Sequence, residues 1–141
     1  MKNITIFLDT NVILDYLQSR EPFTEYANSI FKLCADKKIV ASISAQSIAD
    51  IFFILRKDYT VYERKNMLLF ICGICDVIGA NKTMITNALT NENFNDLEDC
   101  IQTECAKIAG VDYIITRNIK DFTASRIEPI LPEDFLKVIE Q

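Results

Sequence analysis

The chain has 141 residues, half of them hydrophobic and a quarter charged, with only 3 glycines and 3 prolines. This composition excludes a disordered or fibrous chain and predicts one packed domain over residues 1–141. Histidine is absent, which excludes a Ser-His-Asp triad and a His-ligated zinc site. Carboxylates, hydroxyls, lysines and thiols remain for chemistry, and the acids outnumber the bases to give a net charge of -5.

The apolar segments of the chain are short. Even residues 67–72 fall far short of the roughly 20 residues that a membrane-spanning helix needs. The N-terminus lacks the charged, apolar and cleavage regions of a signal peptide. We therefore expect a cytoplasmic protein that does not contact a membrane. The 5 cysteines, an odd number, are expected to be reduced thiols.

Hydrophobic periodicity predicts strands that alternate with helices along the whole chain. Strands are predicted at residues 3–8, 39–42, 76–80, 113–116 and 127–131. Helices are predicted at residues 12–17, from Pro22, at 44–57 with Ser44 as its cap, at 61–72, 82–91 and 95–110, and from Pro132. The alternation predicts an α/β fold, a three-layer α/β/α sandwich with a central, mostly parallel sheet.

Polar residues follow two of the predicted strands directly. Residues 9–11 (Asp-Thr-Asn) come after the first strand, and residues 116–121 (Thr-Arg-Asn-Ile-Lys-Asp) come after the strand that begins at Tyr113. Ligands of open parallel sheets bind beyond the carboxyl ends of the strands, so both segments are candidate sites. The alternative is that Asp9 or Asn11 caps a helix, and that Asn118 and Asp121 belong to an ordinary turn.

Two acids open the predicted helix that ends near Gly110. Asp96 and Asp99 lie three residues apart, so both can face one ligand. Small side chains follow Asp99 along the same stripe, at Thr103 and Ala106, and this packing is expected to draw Asp99 inward. The alternative is that these acids only stabilise the dipole at the start of the helix.

Asp50 interrupts the apolar run of residues 48–55. The helix face that it shares with Gln46, Phe53 and Lys57 is neither clearly apolar nor clearly polar. A buried Asp50 would need a cation or hydrogen-bond donors, because an unpartnered buried carboxylate is costly. A solvent-exposed Asp50 is the alternative.

Residues 7–11, 96–100 and 115–122, together with Asp50, resemble in order and spacing the motifs of the PIN-domain family. The resemblance spans nearly the whole chain, and it implies a nuclease acting on RNA with Mg²⁺ or Mn²⁺ held by acidic side chains. It implies catalytic roles for Asp9, Asp50, Asp99 and Asp121, and metal contacts for Asp9, Asp96, Asp99 and Asp121. Hard divalent cations prefer oxygen ligands, so no histidine is required.

Other polar residues beside these acids are expected to support the site. Asn11, Thr116 and Asn118 are expected to orient carboxylates or water by hydrogen bonding. Arg117 and Lys120 are expected to contact the phosphate backbone of RNA, and the alternative is that both are solvated surface charges. The sequence departs from the family pattern at Asp50, where Glu is more common, and at Asn118, so that Asp121 is expected to supply the charge there.

Compact single-domain chains of this family resemble the toxins of toxin-antitoxin pairs, which implies a small antitoxin protein as partner, and the family resemblance implies a homodimer. Two other functions stay open at this point. The chain could be a PIN-like interaction module without catalysis, or a receiver-type phosphoacceptor switch, which shares the length, a doubly wound sheet and acidic Mg²⁺ ligands.

Overall fold

The computed structural model describes residues 3–140, so Met1, Lys2 and Gln141 of the predicted domain lie outside the described residues. The strands are β1 (Thr5–Leu8), β2 (Val40–Ser44), β3 (Asp76–Ile78), β4 (Tyr113–Ile115) and β5 (Glu128–Ile130). They form one sheet in the order β3-β2-β1-β4-β5, and each pair of neighbours is parallel. The predicted parallel sheet is therefore confirmed.

Helices cover both faces of this sheet. They are α1 (Thr10–Leu17), α2 (Thr24–Ala35), α3 (Ala45–Ile54), α4 (Val61–Ile74), α5 (Lys82–Thr90), α6 (Leu97–Ala109) and α7 (Pro132–Ile139). Two short 3₁₀ segments, Leu55–Lys57 and Ile119–Phe122, extend α3 and follow β4. Within residues 3–140, no helix is long and apolar enough to cross a membrane.

Alternating side chains of β1 divide the core into two halves. Ile6 and Leu8 pack with apolar residues of α1, α2, α3, α4 and α7, whereas Phe7 packs with residues of α5 and α6. Successive side chains of a strand point to opposite faces, so β1 is buried on both sides. The predicted three-layer α/β/α sandwich is confirmed by this arrangement.

The ends of two helices test the predicted caps. Ser44 caps α3 as predicted, because its Oγ accepts a hydrogen bond from the Ser47 amide at 3.0 Å. The predicted start of α6 at Asn95 is wrong: the cap is Asp96, whose Oδ1 accepts from the Asp99 amide at 3.0 Å. Both residue types cap helices well, so local sequence does not choose between them. The predicted end is confirmed, since Gly110 adopts a left-handed φ of 68° after α6.

The strand order determines where a ligand can bind. The chain moves from β1 through β2 to β3 on one side of the sheet, and then resumes with β4 on the other side of β1. A reversal of this kind opens a crevice at the carboxyl ends of the two central strands. Receiver domains have the order 2-1-3-4-5 instead, so the receiver-type alternative is wrong.

Candidate functional site

A cleft of about 500 Å³ lies beyond the carboxyl ends of the central strands. Most of the side chains that line it are acids or amides. The predicted site residues among them are Asp9, Asn11, Asp50, Asp96, Asp99, Asn118 and Asp121. The structure thus brings together acids that are separated by up to 112 positions (9 to 121) in the chain. Thr116, Arg117 and Lys120 are not among the lining residues, and lie next to the cleft in the chain.

Asp9 is the most buried acid of the cleft, with 4% of its surface exposed. It immediately precedes α1, yet its side chain makes no capping bond to that helix. Its two oxygens instead accept hydrogen bonds from distant residues: Oδ1 from Gln102 Nε2 at 3.2 Å, and Oδ2 from Thr116 Oγ1 at 2.9 Å. Asp9 is therefore held toward α6 and β4, and the explanation that it is only a helix cap does not hold.

The loop after β4 extends this hydrogen-bond chain. The backbone N–H of Asn118 donates to Thr116 Oγ1 at 3.0 Å, and that hydroxyl donates in turn to Asp9 Oδ2. Because Thr116 is fully buried, the bond ties the start of the polar loop to the carboxylate. Asp121 follows in the exposed 3₁₀ segment and lines the other rim of the cleft.

Three buried hydroxyls set the position of α3 beside the cleft. Ser47 Oγ lies 2.7 Å from Thr10 Oγ1 and 2.9 Å from Ser44 Oγ. These contacts join the first turns of α1 and α3 to the end of β2. Buried polar groups whose hydrogen bonds are all satisfied favour a single packing arrangement, so these hydroxyls fix α3 relative to α1. Asp50 lies one turn further along α3 than Ser47, and it lines the cleft as a half-buried side chain.

The first turn of α6 supplies a second group of acids. Asp96 is exposed, whereas Glu98 and Asp99 are half-buried, and all three line the cleft. Below them the buried Thr103 donates from Oγ1 to the Asp99 carbonyl at 3.0 Å. The small side chains of this stripe bring α6 close to the sheet, which is why Asp99 faces the cleft and not bulk solvent.

Burial, together with the crowding of negative charge, raises the pKa values of Glu98 and Asp99. Burial, and then the charges of Asp96, Asp9, Asp121 and Glu98, raise the pKa of Asp99 to about 7. Burial and the proximity of Asp50 raise the pKa of Glu98 to about 7.

Burial also raises the pKa of Asp9, although the hydrogen bonds from Thr116 and Gln102 and the charge of Arg117 oppose that rise. The cleft therefore holds negative charge that the surrounding protein does not neutralise.

The donor set of the cleft fits a hard divalent cation. Carboxylate oxygens are the ligands that Mg²⁺ and Mn²⁺ prefer, and a cation would offset the repulsion that raises these pKa values. Among residues 3–140, no three Cys, Asp or Glu side chains already converge as ligands on one point. Mg²⁺ commonly uses only one or two protein carboxylates and completes its shell with water and phosphate, so this openness is compatible with the ion.

Arg117 is anchored by a buried ion pair. Its Nε and Nη2 donate to the two carboxylate oxygens of Asp15 at 2.8 and 3.2 Å, and its guanidinium lies 3.9 Å from the ring centre of Phe23. Asp15 is 1% exposed and follows Asn11 by one turn of α1. Paired hydrogen bonds of this geometry are strong and directional, so they fix the loop after β4 against α1.

Three residues with these contacts were not predicted as site residues. Gln102 follows Asp99 by three positions on α6, and Asp15 follows Asn11 by four on α1. Residues with these spacings are neighbours on a helix, and this was the one sequence signal that could have placed Gln102 and Asp15 near the site. Glu98 lies in the first turn of α6, where its sequence position is equally typical of a capping box with Asn95 or of an acid that stabilises the helix dipole. Sequence spacing does not reveal that Gln102 contacts Asp9, because the two residues lie 93 positions apart.

The fold and the cleft together define an α/β protein with an acid-lined site at the switch point of a parallel sheet. The family model described as PIN domain matches residues 5–120. The chain belongs to the PIN domain family, and the resemblance found in its sequence is confirmed.

Known proteins resemble this chain over most of its length. Ribonuclease VapC1 of Aquifex aeolicus is 28% identical over 142 residues, covering 96% of this chain and 95% of that protein. A toxin-antitoxin complex from Klebsiella pneumoniae contains a chain that superposes with a TM-score of 0.68 at 18% identity, covering 90% of this chain and 97% of that one.

The structure of VapBC2 from Rickettsia felis, bound to a promoter DNA fragment, also gives a TM-score of 0.68. Its matching chain is 15% identical, and the match covers 91% of this chain and 98% of that chain. At these identities the two solved structures support the fold.

We predict that Asp15→Asn destabilises the fold by about 3 kcal/mol, because it leaves the Arg117 guanidinium without its buried counter-charge. The matched control is Asp36→Asn, which removes an exposed pair with Lys32 at 3.9 Å and should change stability by less than about 1 kcal/mol. Urea unfolding followed by circular dichroism measures both values. Equal effects of the two substitutions would contradict the role given to the buried pair.

We also predict that the metal-free protein is less stable at pH 8 than at pH 5. The pKa values of Glu98 and Asp99 are about 7 in the folded state and ordinary in the unfolded chain, so the folded state binds more protons between about pH 4 and 7. Stability therefore falls as the pH rises through this window. Saturating Mn²⁺ should reduce the fall, and thermal unfolding with EDTA or with Mn²⁺ measures it.

Asp99→Asn separates this local effect from general charge repulsion. The substitution removes one of the two strongly shifted groups and leaves the other surface acids unchanged. Its melting temperature without metal should depend less on pH than that of the wild type. A wild type whose melting temperature rises from pH 5 to pH 8 in EDTA would contradict the prediction.

Proposed function

We propose that this chain is a Mg²⁺- or Mn²⁺-dependent endoribonuclease that hydrolyses phosphodiester bonds in RNA. The observation that carries the proposal is the buried Asp9 carboxylate, held by Gln102 and Thr116 in a cleft where the pKa values of Glu98 and Asp99 are raised. The relative named Ribonuclease VapC1 supports RNA as the substrate class.

Asp9 and Asp99 are the residues that we propose as cation ligands, with Asp96 and Asp121 as further carboxylates at the rim. A bound divalent cation supplies charge neutralisation for the phosphodiester and lowers the pKa of water to give a nucleophile near neutral pH. The protein holds Asp9 rigidly through two hydrogen bonds, whereas Asp96 and Asp121 are exposed. We therefore assign the fixed contact to Asp9 and the adjustable contacts to the rim acids.

Asp50 and Asn118 are the positions that depart from the family pattern. Asp50 faces Glu98 across the cleft, closely enough to raise the pKa of that carboxyl. We propose that Glu98 supplies the reach that the shorter Asp50 side chain lacks, so that the two acids act as a pair. The backbone N–H of Asn118 donates to Thr116 Oγ1, and we propose that the negative charge on that side comes from Asp121.

RNA has to approach a protein of net charge -5, so cations beside the cleft matter. Lys120 is exposed in the loop after β4 and is a proposed phosphate contact. Arg117 uses Nε and Nη2 for Asp15, and we propose its Nη1 for a phosphate contact. The exposed ring of Phe53 lines the opposite rim of the cleft. The Arg56 guanidinium lies 3.7 Å from the centre of this ring and is a further cation beside the cleft.

We propose further that the protein acts in the cytoplasm as the toxin of a toxin-antitoxin pair. The solved structure from Klebsiella pneumoniae supports this, because the chain that superposes on this one belongs to a toxin-antitoxin complex. Exposed apolar side chains on α3 and α4, including Phe53, Tyr62 and Leu69, offer the kind of surface that protein partners cover. A small antitoxin and a second copy of this chain are the proposed partners.

The nuclease proposal predicts that Asp9→Asn and Asp99→Asn each lower Mn²⁺-dependent RNA cleavage by at least about a hundred-fold, because each removes a charged ligand. Cleavage of labelled single-stranded and hairpin RNAs, with Mn²⁺ or with EDTA, measures the effect. The fold should be retained, since an amide replaces a carboxylate of the same size. Asp58→Asn is the control, because Asp58 is exposed and is not among the residues that line the cleft.

The same assay tests the alternative of an interaction module without catalysis. Wild-type protein that is folded and binds Mn²⁺ but leaves every RNA intact would favour that alternative, to which the departures at Asp50 and Asn118 point. Mn²⁺-dependent cleavage that persists in both variants at the wild-type rate, and that EDTA abolishes, would contradict the proposed site.

The toxin proposal predicts a growth effect in cells. Induced expression of the wild-type chain in a bacterial host should arrest growth, whereas Asp9→Asn should not, because the arrest requires RNA cleavage. Co-expression of a small DNA-binding protein encoded beside this chain should relieve the arrest and co-purify with it. Equal growth arrest by the wild type and Asp9→Asn would separate toxicity from catalysis and contradict the proposal.

A further inference from the structure

Gln102 is a buried glutamine in the wall of the acidic cleft, and only one end of its amide has a partner. Its side chain is 2% exposed, and Nε2 donates to Asp9 Oδ1 at 3.2 Å. In the part of the chain that the structure describes, no protein group lies within hydrogen-bonding distance of its Oε1. A buried carbonyl oxygen without a donor costs free energy, so an unpartnered one beside a ligand cleft calls for an explanation.

Hydrogen bonding to Asp9 determines which way the Gln102 amide faces. An ionised carboxylate can only accept hydrogen bonds, so the NH₂ group must be the end that meets Asp9. Turning the amide over would bring Oε1 against Oδ1, with two acceptors in contact. Oε1 therefore cannot exchange places with Nε2 to find a partner, and the donor that satisfies it has to come from elsewhere.

The neighbouring protein groups do not supply that donor. Thr116 Oγ1 donates to Asp9, and Thr10 Oγ1 is paired with Ser47. The remaining lining groups closest in the chain to Gln102 are the acids Glu98 and Asp99, which are acceptors when ionised. A donor for Oε1 is thus expected from the contents of the cleft.

Water in the shell of a divalent cation has the required properties. Its oxygen faces the cation, so its hydrogens point outward to acceptors, and Mg²⁺ in particular retains several such waters when it binds protein. Gln102 follows Asp99 by three positions on α6, on the same side of the helix, and contacts Asp9 directly. Its amide thus lies beside both proposed cation ligands.

We infer that Gln102 is a positioning residue of the cation site: Nε2 orients the Asp9 carboxylate, and Oε1 accepts a hydrogen bond from a water that the bound cation retains. The inference rests on the proposed function, because it needs a cation in this cleft. It assigns the two ends of one side chain to the two parts of the coordination shell, the protein ligand and the solvent ligand.

Calorimetric titration of the metal-free protein with Mn²⁺ alone tests the inference without an RNA substrate. Gln102→Met replaces the amide by an apolar side chain of similar size and should weaken Mn²⁺ binding by about 10- to 100-fold, the range for groups that orient metal ligands. Gln46→Met is the matched control, because Gln46 also lines the cleft but is exposed, and its Mn²⁺ affinity should equal that of the wild type.

A third variant separates the two ends of the amide. Thr116→Val removes the other hydrogen bond to Asp9 and leaves Gln102 intact. If both ends of Gln102 act, Gln102→Met should weaken Mn²⁺ binding more than Thr116→Val does. Equal weakening would overturn the role of Oε1. If Gln102→Met does not fold, Gln102→Asn, which is too short to reach both positions, takes its place with the same expected loss.

The titration distinguishes failure of this inference from failure of the proposed function. Equal Mn²⁺ affinity of the wild type and the folded Gln102 variant would overturn the inference alone. Absence of Mn²⁺ binding to the folded wild type would overturn the inference together with the proposed cation site. A larger loss in the Gln102 variant than in Thr116→Val, with wild-type affinity retained by Gln46→Met, is the result that we expect.

Discussion

The site depends on one buried negative charge, the carboxylate of Asp9 at the end of the central strand. Removing a carboxylate from water is unfavourable, and the chain offsets that cost with two hydrogen bonds and a nearby guanidinium. These groups come from α6 and from the loop after β4, so α6 and the β4 segment must both dock correctly before Asp9 is satisfied. The Asp9 charge in turn helps to raise the pKa values of the nearby Asp99 and Glu98.

The sheet explains why these groups meet. The carboxyl ends of parallel strands lie at the same edge of the sheet. In the order β3-β2-β1-β4-β5 the chain reverses direction across the sheet between β1 and β4, and this reversal opens a crevice at that edge. Asp9 and Thr116 follow neighbouring strands and differ by 107 positions in the chain. The buried hydroxyls of Thr10, Ser44 and Ser47 then orient α3 against the same edge. The fold therefore converts separate polar segments into one cleft.

Much of the fold and part of the site could be predicted because the determining patterns are local. Ser44 and Gly110 mark helix ends through the chemistry of one or two residues, and apolar periodicity identifies the strands. The choice of Asp96 over Asn95 as a cap is decided by the path of the preceding loop. Gln102 and Asp15 could not be assigned because their roles consist of contacts with Asp9 and Arg117, which no short segment contains.

The long separation of Asp9 from its partners has a consequence for synthesis on the ribosome. Asp9 is translated well before its partners, because Gln102 and Thr116 are added 93 and 107 positions later. A nascent chain that has exposed only β1, β2 and β3 holds its future central strand with one neighbour missing and Asp9 without either donor. The cleft can therefore form only after α6 and the loop after β4 have left the ribosome, which keeps a shorter nascent chain from assembling it beside the RNA that encodes it.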